Sequence, residues 1–411
     1  MRKAFFFVLS SDFSRPSASL NRFLAISRGL CEIGDEVYWF LLATEPPSSI
    51  KQDSKYGGIR FITVGSSKFV FARNKITMYL YRMWLHSGLG RLVRNLGNEA
   101  SIKAWFDYGD RIPFLWQVVR ICRLNNVVLL HEKTEYPYLG NSLRKRFNQF
   151  FYMTYFIPRC DHIFVISQSL KLFYTGYLRT HKRKIPVHVQ NIVVEPERYN
   201  AKCNPETCNT RDIVYVGTLY GTKDGVYDLI RAFAEVMDEH PYTRLVIVGD
   251  TSKRERMHEI YAELSKLSDP SQVVMTGLLQ RDEVVRIINS AYCLALARPD
   301  NLQAKYGFPT KLGEYLSTGR PVIVTGVGDI PLFLRDGHNA YVAQPGDLND
   351  FVAKLSSCLS NPNEASVIGE RGKELSQTVF YYRNVASCLS KAVRDTSNYI
   401  GMHRTKKPYK D

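Results

Sequence analysis

The chain has 411 residues, too many for one ordinary domain and comfortable for two. Hydrophobic residues are 45% and charged residues 23%, a globular composition that excludes disorder as the main state, and no apolar run reaches the roughly 18 residues of a membrane span. The net charge of +16 is uneven: residues 1–200 carry 29 Lys+Arg against 14 Asp+Glu and residues 201–411 carry 26 against 25, so the N-terminal half is suited to a polyanion, nucleic acid or an anionic lipid leaflet.

The N-terminus, Met1-Arg2-Lys3 followed by a short apolar run to Leu9, lacks signal-peptide grammar. A cytoplasmic chain is expected, peripheral on the inner face of the cell membrane. The cysteines (Cys31, Cys122, Cys160, Cys203, Cys208, Cys293, Cys358 and Cys388) are scattered, and only Cys203 and Cys208 are close. None has a zinc-ligand spacing, so free thiols and no metal site are expected.

In chain order, a strand over Ala4–Ser10 leads through a loop to a helix with apolar residues at Leu20, Phe23, Leu24, Ile26, Leu30 and Ile33. Gly34 ends it and Glu36–Leu42 begins a second strand, which makes a βαβ unit. Further buried-type strands are expected at Ala104–Tyr108, Val127–Leu130 and His162–Ser167. The polar stretch Asn200–Arg211 reads as a linker. After it, strands at Ile213–Gly217, Arg244–Gly249, Val273–Gly277, Cys293–Ala297, Pro321–Thr325 and Ala340–Ala343 alternate with helices near 224–239, 253–267, 281–290, 310–318 and 347–360. A final helix is expected over 379–398, and the basic tail after Gly401 reads as loose. The fold class is α/β, with two Rossmann-like doubly wound domains facing each other across a cleft. The expected domains are 1–200, 201–378 and a C-terminal segment 379–411 that packs back on the first.

Two segments can carry chemistry. In Val216-Gly217-Thr218-Leu219-Tyr220-Gly221-Thr222-Lys223-Asp224-Gly225 a strand ends at Gly217 and a helix starts near Asp224. Glycines, one lysine and a helix N-terminus favour a phosphate there, although a plain βα loop with a solvated lysine has the same pattern. In the second segment, from Tyr306 to Val324, Pro309 and Thr310 suit a helix start, and Gly319 and Pro321 suit its end. Glu314 lies early in that helix. Its carboxylate can accept two hydrogen bonds from a ribose diol, or it can be a surface glutamate favoured by the helix dipole.

These residues resemble the glycosyltransferase family 4 (group 1) enzymes, which have the GT-B fold and retain anomeric configuration. The likeness is carried by "DIVYVGTLYGTKDGVYDLIRAF", "RLVIVGD", "VVMTGLLQRDEVVRIINSAYCLALA", "GFPTKLGEYLSTGRPVIVT" and "LFLRDGHNAYVAQPGDLNDFVAKLSSCLSNP", in the family's order and spacing. It continues more weakly in "HEKTEYP", "CDHIFVISQSLKLFY" and "NIVVEPERYN".

The resemblance implies that Lys223 holds the diphosphate of a nucleoside diphosphate sugar and that Glu314, the second glutamate of an E-x7-E pattern, binds the ribose. Gly217 and Thr218 would line the donor site, Gly307 and Phe308 would offer backbone N–H groups, and Thr310 and Lys311 would lie beside them. The turns after Gly249 and Gly277, with Leu278, would hold the base. Two positions depart from the family: Thr218 stands for an arginine and Tyr306 for the first glutamate. Lys311 or Arg298 is expected to restore the missing positive charge. No cofactor or metal is required, because fixed cations stabilise the leaving diphosphate.

On the acceptor side, His131 and Glu135 follow a strand and are expected to project into the cleft, with His131 hydrogen-bonding sugar or acceptor. Either is equally readable as an ordinary loop residue. Arg15, Ser17 and Asn21 at the end of the first strand are candidates for acceptor or phosphate contact. Segments 68–84 and 144–152 interleave basic and aromatic residues, a pattern suited to an anionic lipid interface or to ordinary packing on the sheet.

The expected function is transfer of a sugar to a glycan or lipid-linked acceptor in cell-surface polysaccharide synthesis, with no nucleic acid as partner. A sugar-nucleotide epimerase of the same fold, an inactive scaffold and a nucleic-acid-binding protein remain as alternatives.

Overall fold

The structure, a computed structural model, describes residues 2–9, 18–42, 44, 56–65, 75–109, 112–136, 142–199, 211–220, 224–252 and 257–404. The chain divides into two compact units, one of Met1–Gln190 with Tyr382–Asp411 and the other of Asn191–Tyr381.

Unit 1 contains β1 (Lys3–Leu9), α1 (Ala18–Glu32), β2 (Glu36–Leu42), β3 (Ile59–Val64), α2 (Lys75–Asn95), β4 (Ile102–Asp107), α3 (Ile112–Leu124), β5 (Val128–Lys133), α4 (Leu143–Phe151), β6 (His162–Val165), α5 (Gln168–Thr180) and β7 (Val187–Val189). Its seven strands lie in the order β3-β2-β1-β4-β5-β6-β7, and every pair is parallel. Every residue of β2 is buried, as expected for a parallel strand covered on both faces.

Unit 2 contains β8 (Arg211–Val216), α6 (Val226–Val236), β9 (Thr243–Val248), α7 (His258–Leu264), β10 (Val273–Gly277), α8 (Arg281–Ser290), β11 (Cys293–Leu296), α9 (Leu302–Tyr306), α10 (Lys311–Ser317), β12 (Val322–Thr325), β13 (Tyr341–Ala343), α11 (Leu348–Ser360) and α12 (Pro362–Gln377). The order β10-β9-β8-β11-β12-β13 is again fully parallel. It reverses direction between β8 and β11, the point at which open α/β sheets bind ligands.

The last helix, α13 (Tyr382–Arg404), belongs to unit 1. A Cβ on Gly29 of α1 would lie 2.6 Å from that of Ala386, so the two helices pack backbone to backbone. Below them Lys3 Nζ donates to Ser390 Oγ at 2.8 Å, and Ser390 donates to buried Asp35.

Two sequence expectations shift. Residues 191–199 belong to unit 2, where Val194 N donates to Phe380 O at 2.9 Å and the side chains of Ile192 and Val194 sit against Gly313. The last helix runs over Tyr382–Arg404 instead of 379–398 and so extends past Gly401. Of the expected linker, residues 200–210 lie outside the described residues.

Candidate functional site

At the switch point of unit 2, β8 delivers Gly217 and β11 delivers Ala297 and Arg298. A Cβ on Gly225 would fall 1.6 Å from Ala297 O, so only glycine lets the turn before α6 close against the end of β11. Its φ of 72° is also in the left-handed region. Gly217 and Gly249 press together similarly, since a Cβ on Gly249 would meet Gly217 O at 2.3 Å. Gly249 N donates to Gly277 O at 3.2 Å, which links the carboxyl ends of β8, β9 and β10.

Two cations occupy this edge. Lys311, the first residue of α10, places Nζ 2.6 Å from Asp224 Oδ2 and 5.6 Å from the Tyr215 ring centre. A Cβ on Gly217 would come within 2.3 Å of the same ammonium, so the glycine keeps room for it. Arg298 is only 3% exposed. Its Nε and Nη1 are buried with no hydrogen-bond partner among the described residues. Burial pulls its pKa below the usual arginine value, and the Asp224 charge opposes that fall. A buried guanidinium with idle donors is costly, and an anion arriving there would satisfy it.

Glu314 lies one turn further along α10. Burial raises its carboxyl above the ordinary range, and Arg281, Lys311 and Arg198 pull it back in part. Arg198 is itself held by Glu195, with Nη2 2.5 Å from Oε2. Glu314 is thus a partly shielded acceptor set among three cations.

The other expected donor residues divide. Thr218 is exposed, and its carbonyl accepts from Tyr215 Oη at 2.8 Å. Leu278 is 75% exposed beyond Gly277. Phe308 is buried against the rings of Phe333 and Phe380, and Thr310 caps α10 through its backbone only. One expectation is corrected: the Gly307 N–H closes α9 by donating to Gln303 O at 3.0 Å, so it is not offered to a ligand. Lys223 lies outside the described residues, as do Arg15 and Ser17.

His131 is also corrected. Instead of projecting from the strand end, it is fully buried in β5 of unit 1. Parallel register sets it beside Asp107, whose Oδ2 is 3.2 Å from Nδ1, and Tyr152 Oη lies 2.8 Å from Nε2. Both ring nitrogens are occupied, which leaves none for a sugar. Glu135 is exposed, and Asn21 is half-buried in the first turn of α1.

A buried pair in unit 1 escaped the sequence reading. Arg22 donates to Glu132 from Nε and Nη2 at 3.0 and 2.7 Å, and to Gln190 O at 2.8 Å. The available signal was alternation, since neighbouring strand residues face opposite ways and Glu132 must therefore face away from His131.

Two parallel Rossmann-like units of this kind define the GT-B architecture of glycosyltransferases. Among solved structures, sucrose-phosphate synthase of Thermosynechococcus elongatus is similar with a TM-score of 0.70 and 14% identity, covering 96% of this chain and 99% of that one. The Anabaena protein Alr3699/HepE in complex with UDP gives a TM-score of 0.69 at 12% identity, covering 96% and 100%. These likenesses concern the fold.

Residues 210–361 match the family model described as glycosyl transferases group 1. Among curated proteins, the sulfoquinovosyl transferase SQD2 of Arabidopsis thaliana is 26% identical over 165 residues, 39% of this chain and 29% of that protein. Trehalose phosphorylase of Pleurotus pulmonarius is 33% identical over 134 residues, 31% of this chain and 18% of that protein. The matched stretch is thus less than a third of either relative's length.

Proposed function

We propose that the chain is a retaining glycosyltransferase of family 4 that moves a sugar from a nucleoside diphosphate sugar to a glycan or lipid-linked acceptor in cell-surface polysaccharide synthesis. One observation carries this reading. At the switch point of unit 2, buried Arg298 has two donors with no partner among the described residues, and Lys311 is paired with Asp224, whose charge also acts on Arg298.

A diphosphate leaving an oxocarbenium-like centre takes on charge as the glycosidic bond breaks. Cations fixed in advance at that place lower the barrier without reorganising. In this reading Arg298 and Lys311, with Lys223, hold the diphosphate, and Glu314 accepts hydrogen bonds from the ribose. The acceptor hydroxyl attacks from the face the diphosphate leaves, which preserves configuration, and no resident cofactor is called for. One protein of similar fold, Alr3699/HepE, is known in complexes with UDP and with UDP-glucose, which supports the donor class.

Thr218 and Tyr306 favour the rival reading of an inactive scaffold. Arg298 answers the charge deficit at Thr218 but supplies no carboxylate for Tyr306. The test is thermal stabilisation by a panel of nucleoside diphosphates and their sugars, because ligand bound to the native state raises the melting temperature. Stabilisation by one base, followed by NMR of the product showing the donor's anomeric configuration, is the expected result. Absence of stabilisation by every diphosphate defeats the proposal, and stabilisation without turnover on any acceptor supports the scaffold.

A further inference from the structure

Helices α2, α3 and α4 of unit 1 contain no Asp or Glu, while Lys and Arg number four, two and three in them. They are physically joined. Phe114 of α3 meets the rings of Tyr79 and His86 on α2 at 5.6 and 5.3 Å, and Gln117 donates to Met83 O at 3.1 Å. The Ile112 N–H of α3 donates to Asn148 Oδ1 on α4 at 3.1 Å.

This acid-free layer is also apolar on its outside. Along α2, Ile76, Leu80 and Trp84 are 71%, 56% and 69% exposed at four-residue spacing, which places them on one face. Helix α4 has no buried residue. Its Leu143, Phe147 and Phe150 are 82%, 65% and 64% exposed at i, i+4 and i+7, with Arg144, Lys145 and Arg146 exposed between them. It is anchored from behind by the following turn, whose Tyr152, Met153 and Phe156 are buried.

A helix that displays leucine and phenylalanine to water beside three unopposed cations is unfavourable unless something covers it. Nucleic acid would use the charges and stack on the rings, but it has no use for Leu143, Ile76 or Leu80. An acidic lipid leaflet uses all of them: the cations meet headgroups and the apolar side chains enter the acyl boundary. Among the described residues no helix is long and apolar enough to cross a membrane, so docking would be interfacial.

We propose that α4, supported by the outer face of α2, is the membrane-docking element of this protein and inserts Leu143, Phe147 and Phe150 into an anionic phospholipid interface. The proposal rests on the reading of a lipid-linked acceptor and deepens it, and its vesicle-binding readout needs neither donor nor acceptor.

The full-length protein is sedimented with vesicles of phosphatidylcholine alone and of phosphatidylcholine mixed with phosphatidylglycerol. Binding to the mixed vesicles only is expected. Arg144→Gln/Lys145→Gln/Arg146→Gln should weaken it on the order of a hundredfold, since each cation near an anionic leaflet contributes about fivefold. Phe147→Ser/Phe150→Ser should abolish binding while nucleotide-induced stabilisation persists, which keeps this outcome separate from failure of the donor site.

A second readout needs no variant. Of the four tryptophans, Trp39 and Trp105 are buried whereas Trp84 and Trp116 are exposed, so quenching by brominated lipid reports this layer. Equal binding to both vesicle types, binding untouched by both variants, absence of quenching, or capture of DNA in place of vesicles would each overturn the proposal.

Discussion

Lys311 and Asp224 form an ion pair of 2.6 Å that ties the first residue of α10 to the turn before α6, at the carboxyl edge of the unit 2 sheet. In this arrangement the carboxylate holds the ammonium where a diphosphate would compete for it. Lys311→Ala should therefore weaken nucleoside diphosphate binding about ten- to a hundredfold, the worth of a charge-assisted hydrogen bond. Asp224→Asn, which removes the competing charge, should tighten binding by severalfold. Calorimetric titration of both variants checks this, and unchanged affinity in Lys311→Ala would remove Lys311 from the donor site.

Arg298 permits a sharper contrast between stability and binding. Its buried guanidinium leaves Nε and Nη1 without a partner among the described residues, a state that costs free energy. Arg298→Met fills a similar volume without the charge, so the ligand-free melting temperature should hold or rise. The same variant should lose the shift produced by a nucleoside diphosphate. Differential scanning fluorimetry with and without ligand gives both numbers. A purely structural arginine would show the opposite pattern, with a lower melting temperature and the ligand shift intact.

Most strands of the two sheets were legible because parallel, doubly covered strands are written as apolar runs between helical periods, as in β2 and β11. Strand β3 was missed because its buried and exposed positions mix, and β7 because it has only three residues. Helix α12 was missed because its hydrophobic stripe is thin, with Gly369 and Gly372 among its buried positions.

At the site, the short helix that carries Lys311 and Glu314 was legible from Pro309, Thr310 and Gly319. The Asp224 pairing was not, since it joins residues 87 apart. His131 shows a different limit. The sequence located it at a strand end, but parallel register with Asp107 and a tyrosine from the turn after α4 decided which way it faces.

The α1–α13 contact depends on one hydrogen atom in place of a side chain. A Cβ at position 29 would lie 2.6 Å from the Ala386 Cβ and 3.0 Å from Tyr382 O. Gly29→Val should thus force α13 outward and cost about 2 kcal/mol, the usual size of an overpacking penalty. Urea denaturation should show a lower midpoint, and Ala386→Gly in the same chain should recover part of it. An unchanged midpoint for Gly29→Val would mean that α13 does not pack against α1 in solution.

Acid should destabilise unit 1 through histidines buried in neutral form. His86 lies between the rings of Trp105 and Phe114, and burial pushes its pKa down from 6.5 to about 4. His162 is pushed down to about 3 by burial and by His188, whose Nδ1 is 2.7 Å from its Nε2. A histidine with a depressed native pKa binds fewer protons folded than unfolded, so stability declines as pH drops below 6.5 and stops declining near the native value. At pH 5 each should have cost roughly 2 kcal/mol relative to pH 7. The test compares wild type with His86→Leu by urea denaturation at both pH values. Whatever the variant's absolute stability, its loss between the two should be smaller by about 2 kcal/mol. Equal losses would mean that His86 is already accessible to protons in the native protein and that the Trp105–Phe114 pocket is open to water.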